Sequence, residues 1–219
     1  MNHIMASFSD ASEMNQRVLF GIMMLFAFGL PLIIGGSPFV VLLLLLAVLS
    51  SSEYSVITGK PHTMVLVFIV LECVLFYLLR QSNGGLQKVM FVVFVVAIFD
   101  TIAYFSGKVF GRHKLCPSIS PGKTIEGFIG GIVGVLIFSV PLHFILFVKV
   151  HMAFHLIVVL VLAVLSQVGD ILESAFKRRH NIKDSSNLIP GHGGVLDRFD
   201  GYILVVPTFY VMTIFINFF

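Results

Sequence analysis

The sequence has little charge and few cysteines. Only 11 % of its 219 residues are Asp, Glu, Lys or Arg, whereas a soluble globular domain has about 25 %. Its two cysteines, Cys73 in an apolar run and Cys116 in a polar stretch, give neither a disulfide framework nor the spacing of a cysteine metal site. These shortages exclude an ordinary soluble domain and a small domain held together by disulfides.

The residues that are abundant are apolar. Hydrophobic residues make up 58 % of the chain, which favours an integral helical membrane protein, because backbone polar groups in lipid must be hydrogen-bonded within their own segment. We therefore predict an all-α, polytopic membrane protein with about seven transmembrane helices and two cytoplasmic polar loops that form the site. The predicted spans cover residues 18–34, 39–57, 63–79, 86–105, 125–148, 152–172 and 202–218.

The expected organisation is one integral membrane domain over residues 1–219. It would comprise a cytoplasmic tail (1–16), N-terminal helices (17–85) and catalytic helices and loops (86–219). The tail does not resemble a cleaved signal peptide, since no small-residue cleavage site follows the first apolar run.

Positive charge predicts the orientation of the spans. Seven spans place only three of the 14 Lys and Arg residues, Arg80, Lys88 and Lys149, on one face and the other eleven on the opposite face. Cytoplasmic loops carry the excess of Lys and Arg. The N-terminus and the polar loops 108–123 and 174–201 are therefore expected in the cytoplasm.

Loop 174–201 is the most polar stretch of the chain. It holds five Lys or Arg, three Asp, two His and four Gly. Cations beside carboxylates, with glycines that let backbone N–H groups approach a ligand, suit a phosphate ester held through a divalent metal. A basic loop that only fixes topology would explain the cations, but not the three Asp or the His-Gly-Gly sequence.

Acidic side chains recur at helical spacing just before this loop and near its end. Asp170, Ser174 and Lys177 stand at i, i+4 and i+7, along one stripe of a helix. Asp197 and Asp200 would form a second acidic face. We predict that Asp170 and Asp197 hold Mg²⁺ between them, since acids at membrane depth are costly and tend to be functional; for Asp200 the question stays open. The alternative is a set of salt bridges with three cations, Lys177, Arg178 and Arg198.

A second polar stretch, residues 100–127, combines glycines with cations. Gly122-Lys123-Thr124 has the end of a Walker A motif, but the first glycine of that motif would fall at Pro117, so no P-loop is present. A Gly-rich cationic loop that opens a helix near Thr124 would favour an anion. The alternative is a helix-capping Thr124 with Glu126 nearby.

Two acids in the first spans, Glu53 and Glu72, have no obvious partner in the sequence. Each either lines a cavity or hydrogen-bonds a neighbouring helix. His151 and His155, at i and i+4 on the outer face, are expected to pack at the interface.

Residues 174–200 resemble the motif of the CDP-diacylglycerol synthases (phosphatidate cytidylyltransferases), S-x-[apolar]-K-R-x4-K-D-x-[small]-x2-[apolar]-P-x-H-G-G-[apolar]-x-D-R-[apolar]-D. Residues 100–127 look like a second block of that family. The resemblance is close over the C-terminal half and loose over the first spans. In that N-terminal part we expect one or two helices fewer than many bacterial members of the family have. The fixed positions present are Ser174, Lys177, Arg178, Lys183, Asp184, Pro190, His192, Gly193, Gly194, Asp197, Arg198 and Asp200.

The resemblance implies transfer of a cytidylyl group from CTP to phosphatidic acid, with Mg²⁺ as cofactor, in a cell inner membrane with the site facing the cytoplasm. Membrane lipids are implied partners, nucleic acid is not, and a homodimer is an assembly that it leaves open. The implied metal ligands are Asp170, Asp197 and Asp200. The implied catalytic residues are Asp170, Ser174, Lys177, Arg178, Asp197 and Arg198. The implied substrate-binding residues are Lys108, Ser120, Lys123, Thr124, Glu126, Lys183, Asp184, His192, Gly193 and Gly194.

Three other functions are compatible with parts of the sequence. A CTP-dependent transferase could act on a different lipid phosphate, such as an isoprenoid one, because the spans do not distinguish the tails. A transporter or flippase could use Glu53, Glu72 and Asp100 as a relay, but the inverted repeats that it predicts are not recognisable. An inactive lipid-binding paralogue is disfavoured by the intact motif.

Overall fold

The structure, a computed structural model, describes residues 23, 24, 26–60, 63–146, 150–186, 188 and 193–215. The predicted tail (1–16), residues 18–22 and 25 of the first predicted span, and His192 lie outside the described residues.

Helices make up most of the described chain. Residues 26–34 are helical, and a two-stranded hairpin lies between the third and fourth of the helices that follow. These elements are α1 (Gly36–Thr58), α2 (Thr63–Gln81), α3 (Gly85–Phe110), β1 (Lys114–Cys116), β2 (Ser120–Thr124), α4 (Ile125–Leu146), α5 (Met152–Arg179), α6 (Leu196–Phe199) and α7 (Val205–Phe215).

Four of the described helices, α1, α3, α4 and α5, are long and apolar enough to cross a membrane, and α7 is a shorter apolar helix. This confirms the prediction of an all-α, polytopic membrane protein, while the count of seven spans stays a prediction. Helix α5 ends seven residues beyond its predicted span, with Lys177, Arg178 and Arg179 in its last turn. Cations are favourable there because the C-terminal end of a helix carries a partial negative charge.

The chain forms two compact units. The first unit comprises residues 1–69 and 184–198, and the second comprises residues 70–183 and 199–219. The single membrane domain expected from the sequence stays a prediction.

The core of the second unit is built on α3. Its buried face includes Val92, Val95 and Phe99, and Leu162 of α5 and Phe209 of α7 are also fully buried. These side chains are close-packed in the interior of the unit. The dispersion attraction between them stabilises its fold.

Glycines allow α4 to lie close against α3. A Cβ at Gly131 would stand 2.8 Å from the Phe99 ring, and one at Gly127 would stand 2.7 Å from the carbonyl oxygen of Ala103. Small residues at such positions let two helix backbones approach each other. The start of α4, which carries the second polar block, is therefore held against the end of α3.

The predicted loop 108–123 contains an antiparallel hairpin that the sequence analysis did not predict. Lys114 pairs with Thr124 and Cys116 with Ser120, with an irregular register between the pairs. The strands are only three and five residues long, and Pro121 and Gly122 in β2 are poor strand formers. The hairpin places Lys123 on a defined backbone.

Candidate active site

Three carboxylates of the second unit meet where α5 approaches the segment before α7. One oxygen from each of Asp170, Glu173 and Asp200 lies within 4.8 Å of the other two. Asp170 and Glu173 share a helix face because residues three apart are neighbours on a helix. Gly169 leaves room for the carbonyl oxygen of Asp200, which a Cβ would strike.

The cluster concentrates negative charge in a buried place. Burial, the largest cause, and the nearby carboxylates of Asp170, Glu173 and Asp100 together raise the pKa of Asp200 to about 8, since each disfavours another negative charge. A cation bound among these oxygens would remove that cost. The donors are hard oxygens, which Mg²⁺, Ca²⁺ and Mn²⁺ prefer, so the residues fit a divalent metal.

Cations and a hydroxyl surround the acidic cluster. Lys123 of β2 forms an ion pair with Asp170, and Nζ of Lys177 lies 2.7 Å from Oε2 of Glu173. The Ser174 hydroxyl donates to Asp170 at 3.4 Å. The structure therefore brings together the predicted stripe Asp170, Ser174 and Lys177, and adds Lys123 from the other polar block.

The start of α4 is capped by its own residues. The Thr124 hydroxyl accepts a hydrogen bond from the Gly127 N–H at 3.1 Å, and the Ile125 N–H donates to the His113 carbonyl at 2.9 Å. An anion bound at this end of α4 would need the same backbone N–H donors, which these two hydrogen bonds already occupy. The capping alternative for Thr124 is the arrangement observed.

Glu126 closes the segment between α3 and the hairpin. Its carboxylate accepts the Arg112 N–H at 3.0 Å and the His113 N–H at 3.1 Å, and His113 Nδ1 lies 2.6 Å from Oε1. Its role in binding substrate stays a prediction, but these contacts give it a local structural one.

Arg178 ties α5 to the hairpin. Its Nε donates to the Ile119 carbonyl at 3.1 Å and its Nη1 to the Ile182 carbonyl at 2.8 Å. Two of its five N–H donors therefore hold backbone, and its part in the reaction stays a prediction. Among the other residues predicted to bind substrate or act in the reaction, Ser120 lies in β2 and is half-buried, and four are exposed: Lys108, Lys183, Asp184 and Arg198.

The first unit contains a different pair of carboxylates, Glu53 and Asp197, which are 5 % and 9 % exposed. Asp197 accepts the Ser185 N–H at 2.9 Å and the Gly194 N–H at 2.8 Å. Glu53 accepts the Val195 and Leu196 N–H groups, each at 2.9 Å. Both carboxylates therefore bind backbone of the segment that carries the motif.

The two motif glycines make this arrangement possible. Gly193 has a φ of 82°, which L side chains rarely adopt, and a Cβ there would stand 2.6 Å from Oδ2 of Asp197. A Cβ at Gly194 would stand 2.6 Å and 2.8 Å from the two Glu53 oxygens. The Gly194 N–H is thus directed at Asp197, and the role of both glycines in binding substrate stays a prediction.

The structure differs from the predicted metal pair in one respect. Among the described residues, the group able to hold a metal contains Asp170 and Asp200 together with Glu173. Asp197 belongs to the first unit and its oxygens accept backbone N–H groups. Its assignment as a ligand stays a prediction.

Two acids, Glu173 and Glu53, were not among the site residues predicted from the sequence. Glu173 had a detectable signal, because it follows Asp170 by three residues on the same helix face. Glu53 had none, because its partners lie 132 to 143 residues further along the chain, a distance over which a single sequence shows no pairing.

Comparison with known proteins assigns the chain to a family. The model of the cytidylyltransferase family matches residues 60–216. The phosphatidate cytidylyltransferase of Staphylococcus saprophyticus is 40 % identical over 175 residues, and that of Staphylococcus aureus is 41 % identical over 169. These alignments cover 79 % and 76 % of this chain but only 66 % and 64 % of the relatives, so it spans slightly less than two thirds of their length. The chain belongs to the cytidylyltransferase family.

Proposed function

We propose that this protein transfers the cytidylyl group of CTP to phosphatidic acid, giving CDP-diacylglycerol and pyrophosphate. The observation that carries the proposal is the cluster of Asp170, Glu173 and Asp200, which Lys123 and Lys177 flank. The relatives named phosphatidate cytidylyltransferase support the choice of both substrates.

The reaction needs little acid–base help but strong control of charge. A phosphate oxygen of the lipid forms a bond to the α-phosphorus of CTP, and the bond from that phosphorus to the bridging oxygen breaks, with its electrons leaving on pyrophosphate. The nucleophile is already an anion near neutral pH, so no strong general base is required. The difficulty is that one anion must approach another, which fixed positive charge relieves.

The residues around the cluster suit that task. Asp170, Glu173 and Asp200 would hold Mg²⁺, which when bound supplies positive charge to phosphate oxygens. Lys123 and Lys177 would bind phosphate oxygens with their ammonium groups, and the Ser174 hydroxyl would hold the orientation of Asp170. Asp170, Glu173, Ser174 and Lys177 lie on α5 and Lys123 lies on the hairpin strand β2, so regular backbone supports each of them, whereas Asp200 lies in the segment between α6 and α7.

The exposed motif cations would serve the substrates' outer phosphates. Lys108, Lys183 and Arg198 are exposed, so they can reach a charged ligand without first breaking a buried contact.

We place the protein in a cell inner membrane with the site facing the cytoplasm, because the Lys and Arg excess marks the cytoplasmic face. CTP is found on that side.

The test is a transfer assay on purified protein in detergent with phosphatidic acid and Mg²⁺. CTP labelled at its α-phosphorus should deliver label to the lipid phase, whereas CTP labelled at its γ-phosphorus should leave all label in the aqueous phase. Chelation of the metal should abolish the transfer.

Each alternative outcome has a distinct meaning. Label from the γ-phosphorus in lipid would identify a kinase and contradict the proposal. Transfer to an isoprenoid phosphate but not to phosphatidic acid would keep the chemistry and change the acceptor. The absence of lipid label from folded protein with either acceptor would favour a lipid binder without activity.

A further inference from the structure

Glu53 accepts hydrogen bonds at both of its carboxylate oxygens. Its Oε1 accepts hydrogen bonds from the Ser186 hydroxyl at 2.6 Å and from the Val195 N–H at 2.9 Å. Its Oε2 accepts from the Leu196 N–H at 2.9 Å and from the Ser185 hydroxyl at 3.2 Å. Four donors from two parts of the motif segment converge on one side chain of α1.

The environment makes these bonds consequential. Glu53 is 5 % exposed, and hydrogen bonds to a charged group contribute more to stability than hydrogen bonds between neutral groups. Removing the acceptor would leave buried N–H groups without partners, which is costlier than never having formed the bonds. The backbone at 195 and 196 therefore depends on this carboxylate.

The motif segment around Gly194 also has space for the Glu53 carboxylate. Gly194 has no side chain where both Glu53 oxygens and the Ser185 hydroxyl come close. On the other side of the same glycine, its N–H donates to Asp197 at 2.8 Å. Asp197 and Glu53 thus accept three consecutive backbone N–H groups, those of residues 194, 195 and 196.

Glu53 lies outside the part of the chain that the family model matches, residues 60–216, and outside every motif recognised in the sequence. The residues that it holds are motif residues or their immediate neighbours: Gly194 precedes Val195, and Leu196 begins α6, which carries Asp197 and Arg198. Glu53 of α1 therefore fixes the conformation of the backbone that carries the Asp197 and Arg198 side chains.

We infer that Glu53 is a positioning residue for the cytidylyl transfer, acting through the backbone of residues 193–196 on the orientation of Asp197 and Arg198. The inference rests on the proposed function. Glu53 acts here through the backbone that it binds, and its charge and its two acceptor oxygens do the positioning.

Two substitutions separate positioning from mere packing. Glu53→Gln keeps the length of the side chain but replaces one acceptor oxygen with an NH₂ group that faces an N–H donor. Glu53→Asp keeps the charge and both oxygens but shortens the reach. Positioning by acceptor oxygens predicts that the Asp variant retains more activity than the Gln variant, whereas a packing role predicts the reverse order.

The control is Glu72→Gln, the same change at another buried acid, in α2. Oε1 of Glu72 has no hydrogen-bond partner among the described residues, and the proposed mechanism assigns Glu72 no part. Ser186→Ala provides a milder variant that removes one bond to Glu53 if Glu53→Gln does not fold.

The experiment measures kcat and KM for CTP, the midpoint of thermal unfolding, and hydrogen exchange of peptides covering residues 193–196, all on the full chain in detergent. For Glu53→Gln we expect kcat to fall at least tenfold, with faster exchange confined to these residues. Glu53→Asp should lose less, Ser186→Ala should lose two- to fivefold, and Glu72→Gln should match the wild type.

The outcomes separate the inference from the function it rests on. An active wild type with an equally active, folded Glu53→Gln variant, or with Gln retaining more activity than Asp, would overturn the inference alone. Unchanged exchange at 193–196 in Glu53→Gln would also overturn it. A folded wild type that transfers no cytidylyl group would overturn the proposed function and the assignment of Glu53 to this reaction, while the exchange data would still show whether Glu53 holds the segment.

Discussion

The two units contain two groups of acids with opposite surroundings. Asp170, Glu173 and Asp200 crowd together in the second unit, and lysine side chains pair with two of them. Glu53 and Asp197 in the first unit accept hydrogen bonds from backbone N–H groups. The first group has oxygens that an added cation can use, and the second has oxygens already committed to the fold.

The difference shows that a motif containing several Asp residues need not use them all for the same purpose. Asp197 and Asp200 are three residues apart, yet one anchors backbone and the other joins an acidic cluster. The partners of each oxygen, and not the residue type, decide which acid is available to a ligand. The following predictions test this distinction, starting with the largest expected effect.

Asp170→Asn should reduce cytidylyl transfer by about 100-fold or more, because it removes a charged ligand from the proposed metal site. Folding should survive, since the change also lowers the repulsion within the cluster. The measurements are the transfer assay and thermal unfolding in the same detergent. Activity within threefold of the wild type would contradict the proposed ligand set.

Mg²⁺ should raise the unfolding midpoint of the wild type. A ligand at 100 times its dissociation constant stabilises the folded state by about 2.7 kcal/mol. The shift should vanish in Asp200→Asn and persist in Asp197→Asn, because only the first substitution removes a member of the cluster. If Asp197→Asn also abolished the shift, Asp197 would be a metal ligand, as the sequence analysis predicted.

Asp197→Asn should destabilise the protein by about 2 kcal/mol, because it weakens charge-assisted hydrogen bonds to two buried N–H groups. Asp200→Asn is the matched control and should be neutral or stabilising, since its charge is held near other acids. Thermal unfolding in the absence of metal compares the two. If Asp197→Asn and Asp200→Asn destabilised the protein equally, the proposed distinction between the two groups of acids would be wrong.

Thr124→Ala should cost about 1 kcal/mol, the usual value for a lost helix N-cap, and should leave KM for CTP within about twofold. Thr124→Ser keeps the hydroxyl and should behave as the wild type. A tenfold rise in KM for CTP in the alanine variant alone would restore Thr124 as a direct contact to substrate.

The sequence predicted the features that depend on hydropathy and spacing. Four helices able to span a membrane lie where apolar runs were found, and Asp170, Ser174 and Lys177 come together as helical periodicity requires. The hairpin was missed because Pro121 and Gly122 lie within a five-residue strand. The partners of Glu53 were missed because pairing across more than 130 residues is decided by tertiary packing, which leaves no local pattern.

The length of α5 bears on how a lipid reaches the cluster. Asp170 is the nineteenth of its 28 residues, so it stands about 27 Å from the start of the helix at 1.5 Å per residue. The hydrocarbon core of a bilayer is about 30 Å thick. A helix that enters at one surface would therefore carry Asp170 to the depth of the opposite headgroups. A phospholipid could offer its phosphate there while its acyl chains stay in the bilayer, and a soluble nucleotide could arrive from the water on the same side.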